Sequence, residues 1–329
     1  MRILVTGKDG QLGRSFQREF DCLFRAQNLA VELHYIGRQE CDLSDLNALK
    51  KVLNDFQPNL IINTAAYTAV DKAEQEHDLA FTINALVPEV LAKYAVTNNA
   101  SLMHYSTDYV FDGEGSDFYF EDRAVRPLGV YGNSKAAGER LIVETFSKSN
   151  NTNARYVIFR TSWVYGVGSN FIRTILRLAK DRPELKVIND QFGVPTSAQW
   201  LATLSSYFLL DLSPEGNISL RDFQSGIYHA VPAGETSWHG LACETVRVAT
   251  EAGYPLSLAT AGIKSIPAVE YPLPAPRPMN SRLSTIKLAA ELERLGLMSK
   301  LADSNNALNQ LWSESVCAYV KNIVTQGDI

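Results

Sequence analysis

The first thirteen residues constrain the fold of this chain more than any other segment. An apolar run from Arg2 to Thr6 leads directly into Gly7-Lys8-Asp9-Gly10-Gln11-Leu12-Gly13, and a helical pattern follows from about Gln11 to Phe20. The three glycines allow, in order, a tight turn, the approach of a pyrophosphate to the backbone, and close packing of helix on strand. Free N–H groups at the start of that helix attract phosphate. The segment therefore predicts a dinucleotide-binding strand, turn and helix, rather than a glycine-rich turn that binds nothing.

Strands and helices alternate along the first half of the chain. Further strands are expected at about 31–36, 59–63, 101–105 and 155–160, with helices at about 46–56, 80–98 and 131–146. Strand, helix and strand joined by short loops indicate a parallel sheet with helices on its faces. The predicted fold class is therefore α/β, a doubly wound parallel Rossmann-type sheet, whose ligands bind at the carboxyl ends of its strands.

After the fifth strand the pattern changes, which indicates a smaller C-terminal substrate-binding domain. Helices are expected at about 171–180, 237–251, 284–293 and 306–324, and strands at 185–188 and 226–231. Residues 1–166, rejoined by about 222–255, are expected to form the nucleotide-binding domain, and residues 167–221 and 256–329 the smaller one. The proline-rich run Tyr271–Pro278 is typical of a linker or a peptide ligand. It is also typical of a rigid loop, which would lie at the substrate site with Arg277 near a phosphate.

Charge and composition exclude several classes of protein. The net charge of −5, without a basic block, argues against a nucleic-acid surface. No apolar run reaches transmembrane length, and the first residues are too short for a signal peptide. The four cysteines and five histidines show no metal-ligand spacing, so no metal site is expected. These features predict a cytoplasmic protein with reduced thiols.

The end of the second strand bears on the choice of cofactor. A site that prefers NAD usually has an acidic residue there, whereas this chain has Arg38, which can pair with the 2′-phosphate of NADP. Glu40 lies close enough to leave NAD open. Asp42 and Leu43 then begin a polar turn, which is an expected rim for the adenine.

Small and polar residues follow the next two strands. Ala65 and Ala66 would let a flat cofactor lie close to the sheet. Thr107 follows the fourth strand, where its hydroxyl could bind a substrate carbonyl or simply cap a helix. Both positions belong to the edge of the sheet at which ligands are expected.

Tyr131 and Lys135 lie four residues apart at the start of a predicted helix. That spacing places both side chains on one helix face. A nearby ammonium group favours tyrosinate and lowers a pKa that is normally near 10. The pair is therefore a candidate general acid, although a half-buried tyrosine beside a solvated lysine would give the same spacing.

Together these residues resemble an extended short-chain dehydrogenase/reductase. The resemblance rests on the three N-terminal glycines, on Asn63-Thr64-Ala65-Ala66, on Ser106-Thr107 and on the Tyr131/Lys135 pair. Longer strings resemble the members that reduce keto groups of nucleotide sugars, and they cover most of the chain in the expected order: Ala65–Glu74, Ser106–Gly113, Arg160–Gly166, Asp190–Thr196 and Arg277–Leu283.

The resemblance implies a role for each matching residue. The implied catalytic residues are Thr107, Tyr131 and Lys135. The implied and derived cofactor-binding residues together are Gly7, Gly10, Gln11, Leu12, Gly13, Arg38, Asp42, Leu43, Ala65, Ala66, Tyr67, Tyr105, Tyr131 and Lys135. The implied sugar-binding residues are Val70, Thr107, Asp108, Tyr131 and Trp163.

The activity that the resemblance implies is reduction of the 4-keto group of a dTDP-linked 6-deoxyhexose by NADPH, with NADH left open, to form dTDP-L-rhamnose for cell-surface polysaccharide. Dehydration is disfavoured, because sister enzymes carry Thr-Asp-Glu where this chain has Thr107-Asp108-Tyr109. An alternative from another class is an NADP-binding regulatory subunit similar to that of methionine adenosyltransferase. A homodimer is also left open.

Overall fold

The computed structural model describes residues 1–25, 31–212, 217–302 and 308–327. Its strands, in chain order, are β1 (Arg2–Thr6), β2 (Glu32–Ile36), β3 (Leu60–Asn63), β4 (Ser101–Thr107), β5 (Arg155–Thr161), β6 (Val164–Tyr165), β7 (Leu185–Ile188), β8 (Phe192–Gly193), β9 (Thr196–Ser197), β10 (Leu210–Leu212), β11 (Ile218–Leu220), β12 (Gly226–His229), β13 (Thr236–Ser237) and β14 (Ile263–Ile266).

The helices within the same described residues are α1 (Gln11–Arg25), α2 (Leu46–Phe56), α3 (Val70–Ala73), α4 (His77–Phe81), α5 (Val87–Asn98), α6 (Val130–Ser147), α7 (Phe171–Asp181), α8 (Ala198–Leu209), α9 (Trp238–Glu251), α10 (Ile286–Arg294), α11 (Met298–Ala302) and α12 (Trp312–Gln326). A π-helical turn, Thr82–Leu86, joins α4 to α5.

A six-stranded parallel sheet in the order β12-β5-β4-β3-β1-β2 forms the centre of the molecule. Its register places Thr6 beside Asn63, and Asn63 beside His104. Thr107 lies beside Thr161 at the ends of β4 and β5. The carboxyl ends of the central strands therefore meet along one edge, and the predicted α/β Rossmann-type class is confirmed.

The strands are apolar on both faces because helices cover both faces of a parallel sheet. Ile3 and Val5 pack with α1 and α8 on one side, together with Phe16 and Phe208. Leu4, between them in sequence, points to the other side and packs with residues of α2 and α5. The two cores hold the strand ends, and the loops that follow them, in fixed positions.

Most elements begin and end within a few residues of their predicted bounds, and β12 joins the main sheet beside β5 as predicted. Among the elements that were missed are the π-helical turn inside the helix predicted at 80–98, helix α8, which packs on α1, and short elements such as β10, β11 and β14. The predicted start of the last helix at Asn306 lies outside the described residues. The division into two domains stays a prediction.

One helical run among the described residues, His77–Asn98, is long and apolar enough to cross a membrane by length and composition alone. Its apolar side contributes Val87, Leu91 and Ala95 to the core beneath the sheet. The run therefore has the packing of a core helix.

Candidate functional site

A cavity of about 610 Å³ opens at the carboxyl ends of β1, β3 and β4. All the predicted cofactor residues except Gly13 line it. Its other lining residues are Ile36, Gly37, Cys41, Thr64, Thr68, Ala69, Leu79, Ile83, Ser106, Thr161, Val164 and Leu201. The structure thus brings the predicted cofactor residues, which come from five separate stretches of the sequence, into one cavity.

The glycine turn at one end of the cavity has the geometry that its sequence predicts. Gly7 adopts a positive φ of 72°, which favours glycine, and its carbonyl accepts a hydrogen bond of 3.0 Å from the Gly10 amide. A Cβ on Gly13 would overlap the Gly7 carbonyl oxygen, so Gly13 permits the close approach of α1 instead of lining the cavity. The N-terminus of α1 therefore points at the space where a pyrophosphate would lie.

Glu40, whose position in the sequence left NAD possible as the cofactor, forms an ion pair and a hydrogen bond within the protein. Its carboxylate pairs with Lys8 Nζ at 2.6 Å and accepts a hydrogen bond of 2.9 Å from the Gly37 amide. The hydrogen bond from Lys8 lowers the pKa of Glu40 below its usual range. Arg38 is exposed at the cavity rim, beside Asp42. Glu40 is therefore paired within the protein, and the contact of Arg38 with a 2′-phosphate stays a prediction.

Thr107 and Tyr131 meet where β4 ends and α6 begins. The Thr107 hydroxyl donates to the Asp108 carboxylate at 2.9 Å and lies close enough to the Tyr131 phenol to influence its pKa. Burial raises the pKa of Tyr131 to about 12, against the opposing effect of the Thr107 hydrogen bond. The phenol is therefore protonated at neutral pH.

The expectation that Lys135 lowers the pKa of Tyr131 is wrong for this structure. Lys135 Nζ donates to the Tyr105 carbonyl at 2.5 Å and lies 3.2 Å from His104 Nε2. The ammonium group is thus held against β4 instead of against the phenol. Burial lowers the pKa of Lys135 to about 8, and the nearby Glu139 carboxylate opposes that shift.

The predicted sugar-binding residues lie beyond this end of the cavity. Asp108 is buried, which raises its pKa to about 6; its Oδ1 accepts from the Thr107 hydroxyl, and its Oδ2 has no partner among the described residues. Val70 begins α3 and is half-buried. Trp163 has a positive φ of 47° and stacks on Trp238, with ring centroids 3.6 Å apart. The sugar contacts of these residues stay predictions, and one face of the Trp163 ring is already covered.

Sequence reasoning missed two hydroxyl groups in the cavity. Ser106 Oγ and Thr161 Oγ1 are buried, line the cavity and have no hydrogen-bond partner among the described residues. Buried hydroxyl groups are normally paired, so these two are suited to bind the polar atoms of a ligand. Their position at the ends of adjacent strands was the available signal.

The proline-rich loop reaches the site from the C-terminal half. The Arg277 guanidinium donates to both oxygens of the Asp71 carboxylate, at 2.6 and 2.7 Å, and its charge lies near the Tyr109 hydroxyl. The Tyr109 ring in turn meets the Tyr131 ring edge-on, with centroids 5.5 Å apart. The loop therefore packs beside Tyr131, which lines the cavity, and its place at the substrate site stays a prediction.

The sheet, the glycine turn and the Tyr131/Lys135 pair define a Rossmann-type oxidoreductase of the extended short-chain dehydrogenase/reductase class. More narrowly, the chain belongs to the family described as the RmlD substrate binding domain, whose model matches residues 1–306.

Three known proteins indicate how close the similarity is. The dTDP-4-dehydrorhamnose reductase of Escherichia coli K12 is 42% identical over 87% of this chain and 90% of its own length. A crystal structure of that enzyme's counterpart from Clostridium acetobutylicum superposes with a TM-score of 0.77 at 33% identity, covering 98% of this chain and 99% of the other. The Bacillus anthracis dTDP-4-dehydrorhamnose reductase, solved in complex with NADP, has a TM-score of 0.76 at 29% identity and covers 96% of each chain.

Proposed function

We propose that this chain reduces the 4-keto group of dTDP-4-dehydro-L-rhamnose with NADPH and forms dTDP-L-rhamnose. The observation that carries the proposal is that Tyr131 and Lys135 line one cavity beside the end of β4, in a chain whose relatives are dTDP-4-dehydrorhamnose reductases over nearly their whole length. The predicted cytoplasmic location belongs to the same proposal.

The residues around the cavity fit NADPH. The start of α1 and the Gly10 backbone would bind the pyrophosphate, and Arg38 the 2′-phosphate. The Lys135 ammonium group would donate to the nicotinamide ribose. Ser106 Oγ and Thr161 Oγ1, buried without partners among the described residues, would take the remaining polar atoms at this end. The nicotinamide supplies the hydride when it is bound.

The protein then has to supply a proton and stabilise charge at the sugar oxygen. Tyr131 is protonated at neutral pH, as a general acid must be, and can give its proton to the developing alkoxide. The Thr107 hydroxyl donates to Asp108 without a ligand, and it would turn its one proton to the same substrate oxygen as Tyr131 when the sugar binds. That pair of donors stabilises the transition state more than the neutral ketone.

The decisive experiment measures NADPH oxidation with dTDP-4-dehydro-L-rhamnose in Tyr131→Phe. Turnover should fall by roughly 10²–10⁴ while NADPH affinity stays near that of the wild type, because only the proton is lost. Thr107→Val should lower turnover less than Tyr131→Phe does, since it removes one hydrogen bond to the substrate oxygen and leaves the proton donor in place.

Tyr156→Phe is a matched control. Tyr156 lies on β5 and packs in the helix-covered core, away from the cavity lining. It should keep wild-type turnover. Wild-type-like turnover in Tyr131→Phe would remove Tyr131 from the reaction. A wild-type protein that binds NADPH but reduces no nucleotide-linked keto sugar would favour the non-catalytic regulatory subunit.

A further inference from the structure

A row of buried polar side chains runs under the cavity, from the glycine turn to Lys135. Thr6 Oγ1 lies 2.6 Å from Asn63 Oδ1, and Asn63 Nδ2 lies 2.9 Å from His104 Nδ1. His104 Nε2 then lies 3.2 Å from Lys135 Nζ. The first three residues are in register on adjacent parallel strands, so their side chains share one face of the sheet.

These polar residues occupy positions that the rest of the face gives to apolar ones. Two residues earlier on β3 and β4 the same face carries Ile61 and Leu102, which are fully buried in the core. Thr6, Asn63, His104 and Lys135 are each at most 2% exposed. Burying polar groups costs free energy unless they are hydrogen-bonded, and an apolar row would pack without that cost. The position of the row beside a cavity-lining lysine therefore calls for a functional explanation.

We propose that His104 is a positioning residue for Lys135: its imidazole ring, fixed by Asn63, holds Nζ in the cofactor cavity. The inference rests on the proposed function, because it assigns Lys135 to the cofactor ribose. Of the four residues in the row, Lys135 lines the cavity and the other three do not. His104 thus acts through Lys135 and touches neither cofactor nor substrate.

The geometry accounts for the donors of the ammonium group one by one. One N–H is taken by the Tyr105 carbonyl at 2.5 Å, and His104 Nε2, 3.2 Å from Nζ, can take a second when the ring proton is on Nδ1. Burial, with Lys135 nearby, lowers the pKa of His104 well below its usual value, so the ring is neutral and one nitrogen can accept. The third N–H remains for a ligand in the cavity. Two fixed acceptors thus set the direction of the third donor.

Asn63 lets the row serve either charge state of Lys135. With Asn63 Nδ2 facing His104 Nδ1, the ring carries its proton on Nε2, which suits a neutral amine. A half-turn of the amide presents Oδ1 instead, so that Nδ1 is protonated and Nε2 accepts from an ammonium group. The other ionisable groups around Lys135 are Tyr105, Tyr131 and the Glu139 carboxylate, which is paired with Arg160 at 2.7 Å.

The test compares His104→Phe with His104→Gln. Phenylalanine fills the space but accepts no hydrogen bond, whereas the glutamine side-chain oxygen can accept one from Nζ. His104→Phe should weaken NADPH binding and lower turnover by about tenfold to a hundredfold, the usual effect of losing a hydrogen bond to a charged group. His104→Gln should recover most of that loss. The Michaelis constant for the sugar should stay unchanged in both.

The pH profile gives a readout that a purely structural residue would not move. Removing an acceptor from the ammonium group favours the neutral amine, so the alkaline limb of kcat/KM should shift to lower pH in His104→Phe and return in His104→Gln. His229→Phe is the matched control, since His229 is equally buried, lies on strand β12 of the same sheet and is absent from the cavity lining. It should lower the melting temperature without moving the limb.

Equal effects of His104→Phe and His104→Gln on NADPH affinity would overturn the inference, as would wild-type affinity and pH profile in His104→Phe. The dissociation constant of NADPH, measured by titration without sugar, separates this inference from the proposed function. If the wild-type protein did not reduce the sugar but His104→Phe still weakened NADPH binding, only the proposed function would be contradicted.

Discussion

In the proposed mechanism, Lys135 is the residue whose ionisation would limit the reaction at high pH. Burial lowers its pKa to about 8, whereas the pKa of Tyr131 is raised to about 12. Tyr131, the proposed proton donor, therefore stays protonated across the working range, and the charge of Lys135, proposed to bind the ribose, is lost first. We expect kcat/KM for NADPH to fall as the pH rises through about 8. A fall that begins only near pH 12 would assign the limb to Tyr131 instead.

The same ionisation must appear in the stability of the cofactor-free protein. Below about pH 8, Lys135 is protonated in the folded and the unfolded chain, and the folded state carries the cost of the buried charge. As the pH rises from about 8 to the unfolded value of 10.5, the unfolded chain binds the proton and the folded chain does not. Between these two pH values, the free energy of unfolding of the wild-type protein should rise by roughly 3 kcal/mol relative to that of Lys135→Met. Chemical denaturation of both proteins across this range measures the difference.

At the scale of single residues, sequence reasoning found the components of the site but not their hydrogen bonds. A spacing of four residues put Tyr131 and Lys135 on one helix face, and the structure confirms that. The spacing alone could not show that the Tyr105 carbonyl and His104 would hold the ammonium group against β4. Those acceptors belong to another strand, so only the tertiary packing decides between the two directions.

At the scale of elements, the sequence predicted what local periodicity determines. The strands of the main sheet and the amphipathic helices that cover it lie close to the bounds that periodicity predicts. Helix α8 was missed because most of its residues are buried, which leaves no polar face to reveal a helical period. The π-helical turn was missed because it depends on packing against α6.

Gly138 decides how closely those two elements pack. A Cβ at this position would overlap the Asn84 carbonyl oxygen of the π-helical turn. The Asn84 side chain in turn binds the Tyr67 backbone and the Ser134 hydroxyl at 2.8–3.0 Å. Gly138→Ala should therefore lower the free energy of unfolding by about 1–3 kcal/mol through overpacking, although alanine is favoured in helices by about 1 kcal/mol. Turnover should fall with it, because α6 carries Tyr131.

Arg140→Ala on the exposed side of α6 serves as the control for Gly138→Ala. An exposed substitution should change stability by no more than about 0.5 kcal/mol. If Gly138→Ala raised the melting temperature, as alanine does at an exposed helical glycine, the close contact with Asn84 would not be a constraint on the fold.

At the scale of the whole molecule, the Asp71–Arg277 ion pair joins segments 206 residues apart in sequence. Its side chains are 40% and 16% exposed, so the pair should contribute at most about 1 kcal/mol to stability. The loop has other anchors, such as the hydrogen bond of 3.0 Å from the Asn280 amide to the Gly113 carbonyl. Stabilisation alone therefore gives little reason for a guanidinium group at this point. The predicted phosphate contact gives a better one.

Two variants that break the same ion pair separate these roles of Arg277. Arg277→Gln removes the cation and should raise the Michaelis constant for the nucleotide sugar by about tenfold to a hundredfold, since hydrogen bonds to charged groups are strong. Asp71→Asn breaks the pair but keeps the cation, so its Michaelis constant should stay within a few-fold of the wild type. Both should leave NADPH affinity unchanged, because neither side chain lines the cofactor cavity. Equal increases of this Michaelis constant in the two variants would show that the ion pair only fixes the loop and that Arg277 binds no phosphate.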